Sequence, residues 1–487
     1  MKERLEAIEK VIAQGPYSDT WESLSAYRVP EWYRDAKFGI FIHWGVYSVP
    51  AYDNEWYPRN MYMPGSKAYE HHIATYGPHK AFGYKDFIPL FRAEKFDPDA
   101  WAALFERAGA KYVVPVAEHH DGFQMYKSDI SHFNAFEMGP HRDVLGELKA
   151  SCEARGLTVG ASSHRIEHWF FMGHGRDFDS DIHEPLVRGD LYWPAMPEGD
   201  FDNLFSVPAP TDEFMEDWLV RTCELVDNYR PRILYFDWWI EHSAAKPWIR
   251  KLAAYYYNRA AEWGVGVVIH YKHDAFLFGC AVPDVERGQF ADVKPYVWQT
   301  DTAVALNSWC HTEGNEYRKA SDLVRDLVDI VSKNGCLLLN IGPRADGTIP
   351  EEDAAILNEI GDWMRVNGEA LYGARPWRRY GEGPTQIAEA RFTDGIKKAF
   401  TSQDFRFTAA NGAMYAIALA RSDDGRYCIH ALGDQDPGKP TNFHGIITGV
   451  TALETGEAVP FERDAEGLRL TYRTDTDMPV AFRIDMD

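Results

Sequence analysis

The chain has 487 residues, enough for one large domain and a smaller one, and 45% of them are hydrophobic, so a sizeable core can form. Its 51 Lys and Arg against 74 Asp and Glu leave a net charge of −23. That balance argues against a nucleic-acid partner, whose affinity rests on basic patches, and does not favour an anionic membrane surface.

The first nineteen residues are charged and helix-like and lack an apolar signal core, and no stretch approaches a membrane span, so the chain as given reads as cytoplasmic. The six cysteines are scattered with no CxxC pair and read as reduced core thiols. Aromatics make up 14% of the chain, with 16 Trp and 26 Tyr. Rings with one polar edge suit a protein that stacks on sugars, and a Trp-rich core accounts for the composition equally well.

Short apolar runs then recur, each ending in polar residues. Residues 38–42 end in His43, and 111–117 end in Glu118-His119-His120-Asp121. Residues 157–161 end at Ser162-Ser163-His164, 233–236 at Asp237, and 265–269 at His270-Tyr271-Lys272, with further runs at 296–300 and 336–340. Between them the pattern predicts helices over 98–108, 211–228 and 315–333, the last closed by Asn334-Gly335. Continuous apolar strands alternating with helices indicate a parallel sheet covered on both faces. At least seven such units, with no GxGxxG fingerprint after a first strand, favour a (β/α)8-type barrel over an open doubly wound sheet. Residues 170–210 are acidic and rich in Pro and Gly, and read as a long loop that shapes the pocket. From Pro376 onward short alternating runs punctuated by Gly, Asp and Pro predict an antiparallel β-sandwich, dividing the chain into a barrel over 1–375 and a C-terminal domain over 376–487.

Every strand of such a barrel points its C-terminal end at one face. His43, His119, His120, His164, Asp237 and Lys272 then converge on one mouth. Metal catalysis is disfavoured, because adjacent strand residues point to opposite faces and no HxH, HExxH or CxxC spacing occurs. A serine nucleophile lacks a GxSxG elbow. Paired carboxylates fit best, one a nucleophile or base and one an acid with a raised pKa. Asp237, ending a buried strand among Phe236, Trp238 and Trp239, is the candidate for the first. Glu55, Glu118, Glu241 and Glu286 remain open for the second, with Glu286 in a Pro/Gly-punctuated loop after the fifth strand.

The blocks Trp32 to Gly45, Glu55-Trp56-Tyr57, Ala108 to Tyr112 running into His119-His120-Asp121-Gly122-Phe123, Trp298 to Thr302 with Asn307-Ser308-Trp309, and Asn334-Gly335 with Leu339 to Pro343 occur in order. In these the chain resembles the α-L-fucosidases of glycoside hydrolase family 29. The resemblance implies a retaining exo-α-L-fucosidase acting on a fucosylated oligosaccharide or glycoconjugate, without metal or cofactor. It makes Asp237 the nucleophile and Glu286 the acid/base. His43, Glu55, Trp56, His119 and His120 match sugar-binding residues, and His164, Tyr235, Lys272 and Trp298, in runs converging on the same mouth, are counted with them. Three positions depart from the family: Glu118 stands where Lys is common, Ser162-Ser163-His164 replaces Tyr-Tyr-Ser, and Lys272 replaces Arg. A related α-L-sugar such as L-galactose, or a non-catalytic sugar-binding barrel, are the alternative readings.

Overall fold

The computed structural model describes residues 1–183, 185–396, 398–434 and 443–487. Eight strands form a closed parallel barrel. They are β1 (Phe38–Ile42), β2 (Tyr112–Glu118), β3 (Thr158–Val159 and Ala161–Ser163, interrupted at Gly160), β4 (Ile233–Phe236), β5 (Val268–Lys272), β6 (Val282–Glu286), β7 (Trp298–Ala303) and β8 (Gly335–Ile341). Closure comes from β1, which pairs with both β2 and β8. The floor of the barrel is packed with Tyr112, Ile233, Val268 and Val282. Tyr112 fills so much of it that a Cβ on Gly39 would lie 2.2 Å from its ring, so only glycine fits there.

Alternation along each strand carries the interior from apolar to polar towards the mouth. On β6 Val282, Asp284 and Glu286 share one face, and on β5 Val268, His270 and Lys272 do. The strand β6 corrects the expected loop over 282–288. Pro283 and the following Gly288 mask the alternation, because proline demotes a strand reading, yet Pro283 sits in register with Tyr271. The fifth strand is also shifted, running 268–272 rather than 265–269.

A helix α1 (Lys2–Gln14) precedes the barrel, and α2 (Pro98–Arg107), α3 (Val144–Ala154), α4 (Asp212–Tyr229), α5 (Lys246–Trp263), α6 (Ala320–Ser332) and α7 (Glu351–Asn367) surround it. Thr211 caps α4 by accepting from the Phe214 amide, and Arg230 ends it in a left-handed conformation before Pro231. The helix expected from 315 begins at Ala320, because the preceding residues pair back on the strand-like segment at 304–306 through Ala305 and Tyr317. No helix follows β5 or β6; short connections at 273–281 and 287–297 replace it.

The C-terminal strands β9 (Arg375–Glu382), β10 (Phe405–Ala410), β11 (Ala413–Ala418), β12 (Arg426–Ile429), β13 (Ile447–Ala452), β14 (Phe461–Asp464), β15 (Gly467–Thr471) and β16 (Val480–Met486) form two antiparallel sheets, ordered β9-β10-β11-β16-β13 and β12-β15-β14. Phe405, Phe407, Tyr427 and Phe482 build their shared core. Polar anchors tie them to the barrel. The Trp363 indole donates to the Pro479 carbonyl at 2.9 Å, and Arg406 pairs with Asp329 of α6 at 2.5 Å. All six cysteines are free thiols, and no helix of the described residues is long and apolar enough to cross a membrane.

Candidate active site

A pocket of about 530 Å³ opens at the C-terminal ends of the strands, lined among others by His43, Glu55, Trp56, His119, His120, His164, Tyr235, Asp237 and Glu286. Strand ends place them. Asp237 is the first residue past β4, where the chain leaves the sheet for a short turn at Trp238–Glu241. Its Oδ2 lies 3.2 Å from His164 Nδ1 and 3.6 Å from His120 Nε2. The Asp237 carboxylate can only accept, so His164 Nδ1 carries the proton that faces it, and Nε2 accepts from the Ser162 hydroxyl at 3.0 Å. Burial raises the Asp237 carboxyl, but the His164 hydrogen bond, Lys272 and His120 outweigh it and hold the group well below the ordinary carboxylate range.

Glu286 ends β6. Burial, with the charges of Asp237 and Asp301 and against the pull of Lys272, pushes its carboxyl up to about 7. Under it sits a buried ion cluster. The Lys272 ammonium lies 3.0 Å from Asp301, 3.2 Å from Asp284 and 3.3 Å from Glu286. These carboxylates and Asp237 raise the lysine above its usual value against the lowering effect of burial. Asp284 is itself raised by burial and by Asp301. Lys272 is only 1% exposed and does not line the pocket. It corrects the expectation of a sugar contact: a lysine one pleat below the mouth meets the carboxylates of β6 and β7 before it can meet a ligand. Tyr235 does line the floor, with its hydroxyl donating to Asp301 at 2.5 Å.

The other walls are equally set. Asn340 donates its amide to the Trp309 carbonyl at 2.6 Å, which turns its oxygen to His43 Nδ1 at 2.7 Å. His43 therefore presents Nε2 to the pocket as an acceptor. One Glu55 oxygen accepts from the Trp309 amide at 3.0 Å, and burial raises this carboxyl too. Trp56 is held by the Arg59 guanidinium 5.2 Å from its ring, and Arg59 bonds Glu198 of the long loop. That loop, whose shaping role was expected, reaches the rim through Phe201, Asp202 and Leu204.

His119 and His120 both face the pocket, with ring centroids 4.2 Å apart. The opposite-face expectation fails because β2 ends at Glu118 and the two histidines already belong to a turn, closed by Gly122 N–H donating to the His119 carbonyl. His43, His119 and His164 each offer a ligand atom, all within 4.8 Å of one another, and so do His120, His164 and Asp237. Those nitrogens are partly committed to Asn340, Ser162 and Asp237. Burial lowers His43 and His119 well below the usual imidazole range and His120 to about 4, so these rings are neutral, each with one donor and one acceptor nitrogen.

Trp298 is a second correction. It opens β7 rather than closing it, is fully buried, and its indole donates to the Lys333 carbonyl at 2.9 Å at the far end of the barrel. The sequence reading also missed Glu167, which no motif marks. Its side chain is fully buried, Oε2 lies 3.3 Å from His120 Nδ1, and burial and Asp237 push its carboxyl far up. It therefore sits on the Nδ1 side of His120, whose Nε2 side faces Asp237.

An alpha-L-fucosidase family model matches residues 5–369. The plasma alpha-L-fucosidase of Pongo abelii is 32% identical over 447 residues, covering 88% of this chain and 86% of that protein. The chain belongs to the alpha-L-fucosidase family of glycoside hydrolases. The alpha-L-fucosidase of Dictyostelium discoideum is 28% identical over 482 residues, 95% of this chain and 93% of its own. Among solved structures, the Thermotoga maritima alpha-fucosidase in complex with fucose superposes with a TM-score of 0.74 at 29% identity, covering 96% of this chain and all of that one.

Within this alpha-L-fucosidase family member Glu118 has a clear structural role. A register shift between Val116 and Glu118 turns its side chain out of the barrel. There it meets Arg165 at 3.2 Å and Arg221 at 3.3 Å, and both arginines also hold Asp217. All four side chains are 3% exposed or less. Glu118→Lys would bury a third cation beside two arginines. It is expected to lower unfolding stability by about 3–5 kcal/mol, measured by denaturant titration, with Glu118→Gln intermediate. A Lys variant as stable as the parent would remove this account.

Proposed function

We propose that the chain hydrolyses terminal α-linked L-fucose from oligosaccharides or glycoconjugates by double displacement with net retention. The observation that carries this is the opposite tuning of two carboxyl groups at the mouth, on strand ends separated by β5: Asp237 is held ionised, while Glu286 keeps a proton up to about pH 7. In the first step an Asp237 oxygen attacks the anomeric carbon, the glycosidic bond breaks, and Glu286 gives its proton to the leaving oxygen. His164 donates to Oδ2, so in this scheme the other oxygen attacks. In the second step the Glu286 carboxylate takes a proton from water. The resulting hydroxide equivalent attacks the anomeric carbon, and Asp237 leaves.

His43, His119 and His120 meet the sugar hydroxyls as neutral acceptors or donors, Glu55 accepts from them, and Trp56 gives an apolar face. The hydrolysis needs no metal and no partner chain in this scheme. The six free thiols fit a reducing compartment, and a cytoplasmic location belongs to the same proposal. Proton NMR of the first product tests the stereochemistry. α-L-fucose appearing before mutarotation is expected from an aryl α-L-fucoside, and β-L-fucose as the first anomer would overturn double displacement.

A further inference from the structure

The acid end of the pocket is completed by a segment far away in sequence. Where β6 ends, no helix follows, and residues 390–394 from the C-terminal part of the chain dock in the gap. The Phe392 amide donates to the Glu286 carbonyl at 3.2 Å, and the amides of Thr393 and Asp394 donate to the Arg287 carbonyl at 2.8 and 3.1 Å. Asp394 also pairs with Arg287 at 3.2 Å and accepts from Thr302 at 2.5 Å. The approach is so close that a Cβ on Gly288 would lie 2.3 Å from the Ala390 carbonyl oxygen. The segment is thus seated by backbone and buried charge.

That seating leaves its tip in an unfavourable state. Phe392 has φ of +53°, a conformation bulky residues rarely adopt, and the residue is 63% exposed. An aromatic ring that is both strained and wet, at the rim of a sugar pocket, is a ring placed for a ligand. Beside it Arg391 reaches His273, which pairs with Glu241 at 2.6 Å, and Leu204 of the long loop, 43% exposed, also lines this rim.

We infer that Arg391 and Phe392 form the leaving-group subsite and receive the second ring of an uncharged fucosylated oligosaccharide. The inference rests on the fucosidase reading. Phe392 is hydrogen-bonded to the backbone of Glu286, the group that protonates the leaving oxygen, so what it touches is the departing sugar and not the fucose. The phenyl supplies a stacking face for pyranose C–H groups, and the Arg391 fork and the Glu241 carboxylate reach its hydroxyls. The ring is neutral because Asp202 and Glu241 share the rim with Arg391 and repel a uronate or sulfate. The domain after residue 375 thereby selects substrate as well as packing on the barrel.

The test compares α-L-fucosyl fluoride, which has no leaving sugar, with the best turned over of the α1,2-, α1,3-, α1,4- and α1,6-linked fucosyl disaccharides, in the full chain. For Phe392→Ala and Arg391→Ala the ratio of disaccharide to fluoride kcat/KM is expected to fall by about tenfold or more, with Phe392→Trp restoring it. A ratio unchanged from the parent, or both substrates falling together, overturns the subsite and leaves the segment as a support for Glu286. A parent that turns over the fluoride and no disaccharide overturns it as well. A parent inert towards every fucoside, fluoride included, instead overturns the fucosidase reading.

Discussion

Asp237→Gly is expected to lower kcat on an aryl α-L-fucoside by about 10⁴-fold or more, while the protein stays folded. Nothing else at the pocket can replace the carboxylate. Of the other acids, Glu286 and Glu167 have raised pKa values, Glu55 already accepts from the Trp309 amide, Asp301 is tied to Lys272 and Tyr235, and Asp202 and Glu241 stand at the rim. The glycine opens a space on the face from which the carboxylate attacked. Azide entering that space should restore turnover and give the β-L-fucosyl azide, because a single displacement inverts the anomeric centre. Rates equal to the parent would remove Asp237 from the nucleophile role. Rescue giving only the α-azide would place the missing nucleophile elsewhere.

Glu286→Gln is expected to cost about 10²–10⁴-fold on substrates with poor leaving groups and far less on aryl fucosides, whose phenolates leave without a proton. The pH profile carries an independent signature. The proposed mechanism needs Glu286 protonated in the free enzyme, and its carboxyl is pushed up to about 7. In the parent kcat/KM therefore falls as pH rises through about 7, and the Gln variant loses that alkaline limb. The stability sign agrees with this. The folded state binds this proton more tightly than the unfolded chain, whose carboxyl titrates near 4.5. The contribution of Glu286 to stability is therefore intact below about pH 4.5 and is lost as pH rises to about 7. A Gln variant with an unshifted alkaline limb would assign the acid role to another residue, with Glu241 on the same rim the next to test.

The contrast between these two acids shows how far a strand-end argument reaches. Asp237 was legible because an ionisable residue after the buried run 233–236 has no reason to be there as packing. Glu286 was placed by family resemblance, since Pro283 hid the strand it ends. Trp298 shows the converse error: a conspicuous aromatic in a family block sits at the strand's start, and the end of a strand, not its composition, decides which residues face the mouth. Lys272 and Glu118 are wrong or silent as linear features because their meaning is a set of partners. Lys272 draws them from β6 and β7, and Glu118 from the residues after β3 and from α4.

The sequence by itself determined the alternation of strand and helix, the polar residues at strand ends, and the change to antiparallel texture after the barrel. Those depend on periodicity and on the cost of burying charge, both of which act residue by residue along the chain. Only the tertiary structure decided the charge state of each acid, the tautomers of His43 and His164, and the arrival of Arg391 and Phe392 beside Glu286. These depend on groups tens to hundreds of residues apart, brought within hydrogen-bond distance by barrel closure and by the docking of the C-terminal segment. A pKa is a property of that neighbourhood and not of the residue that carries it.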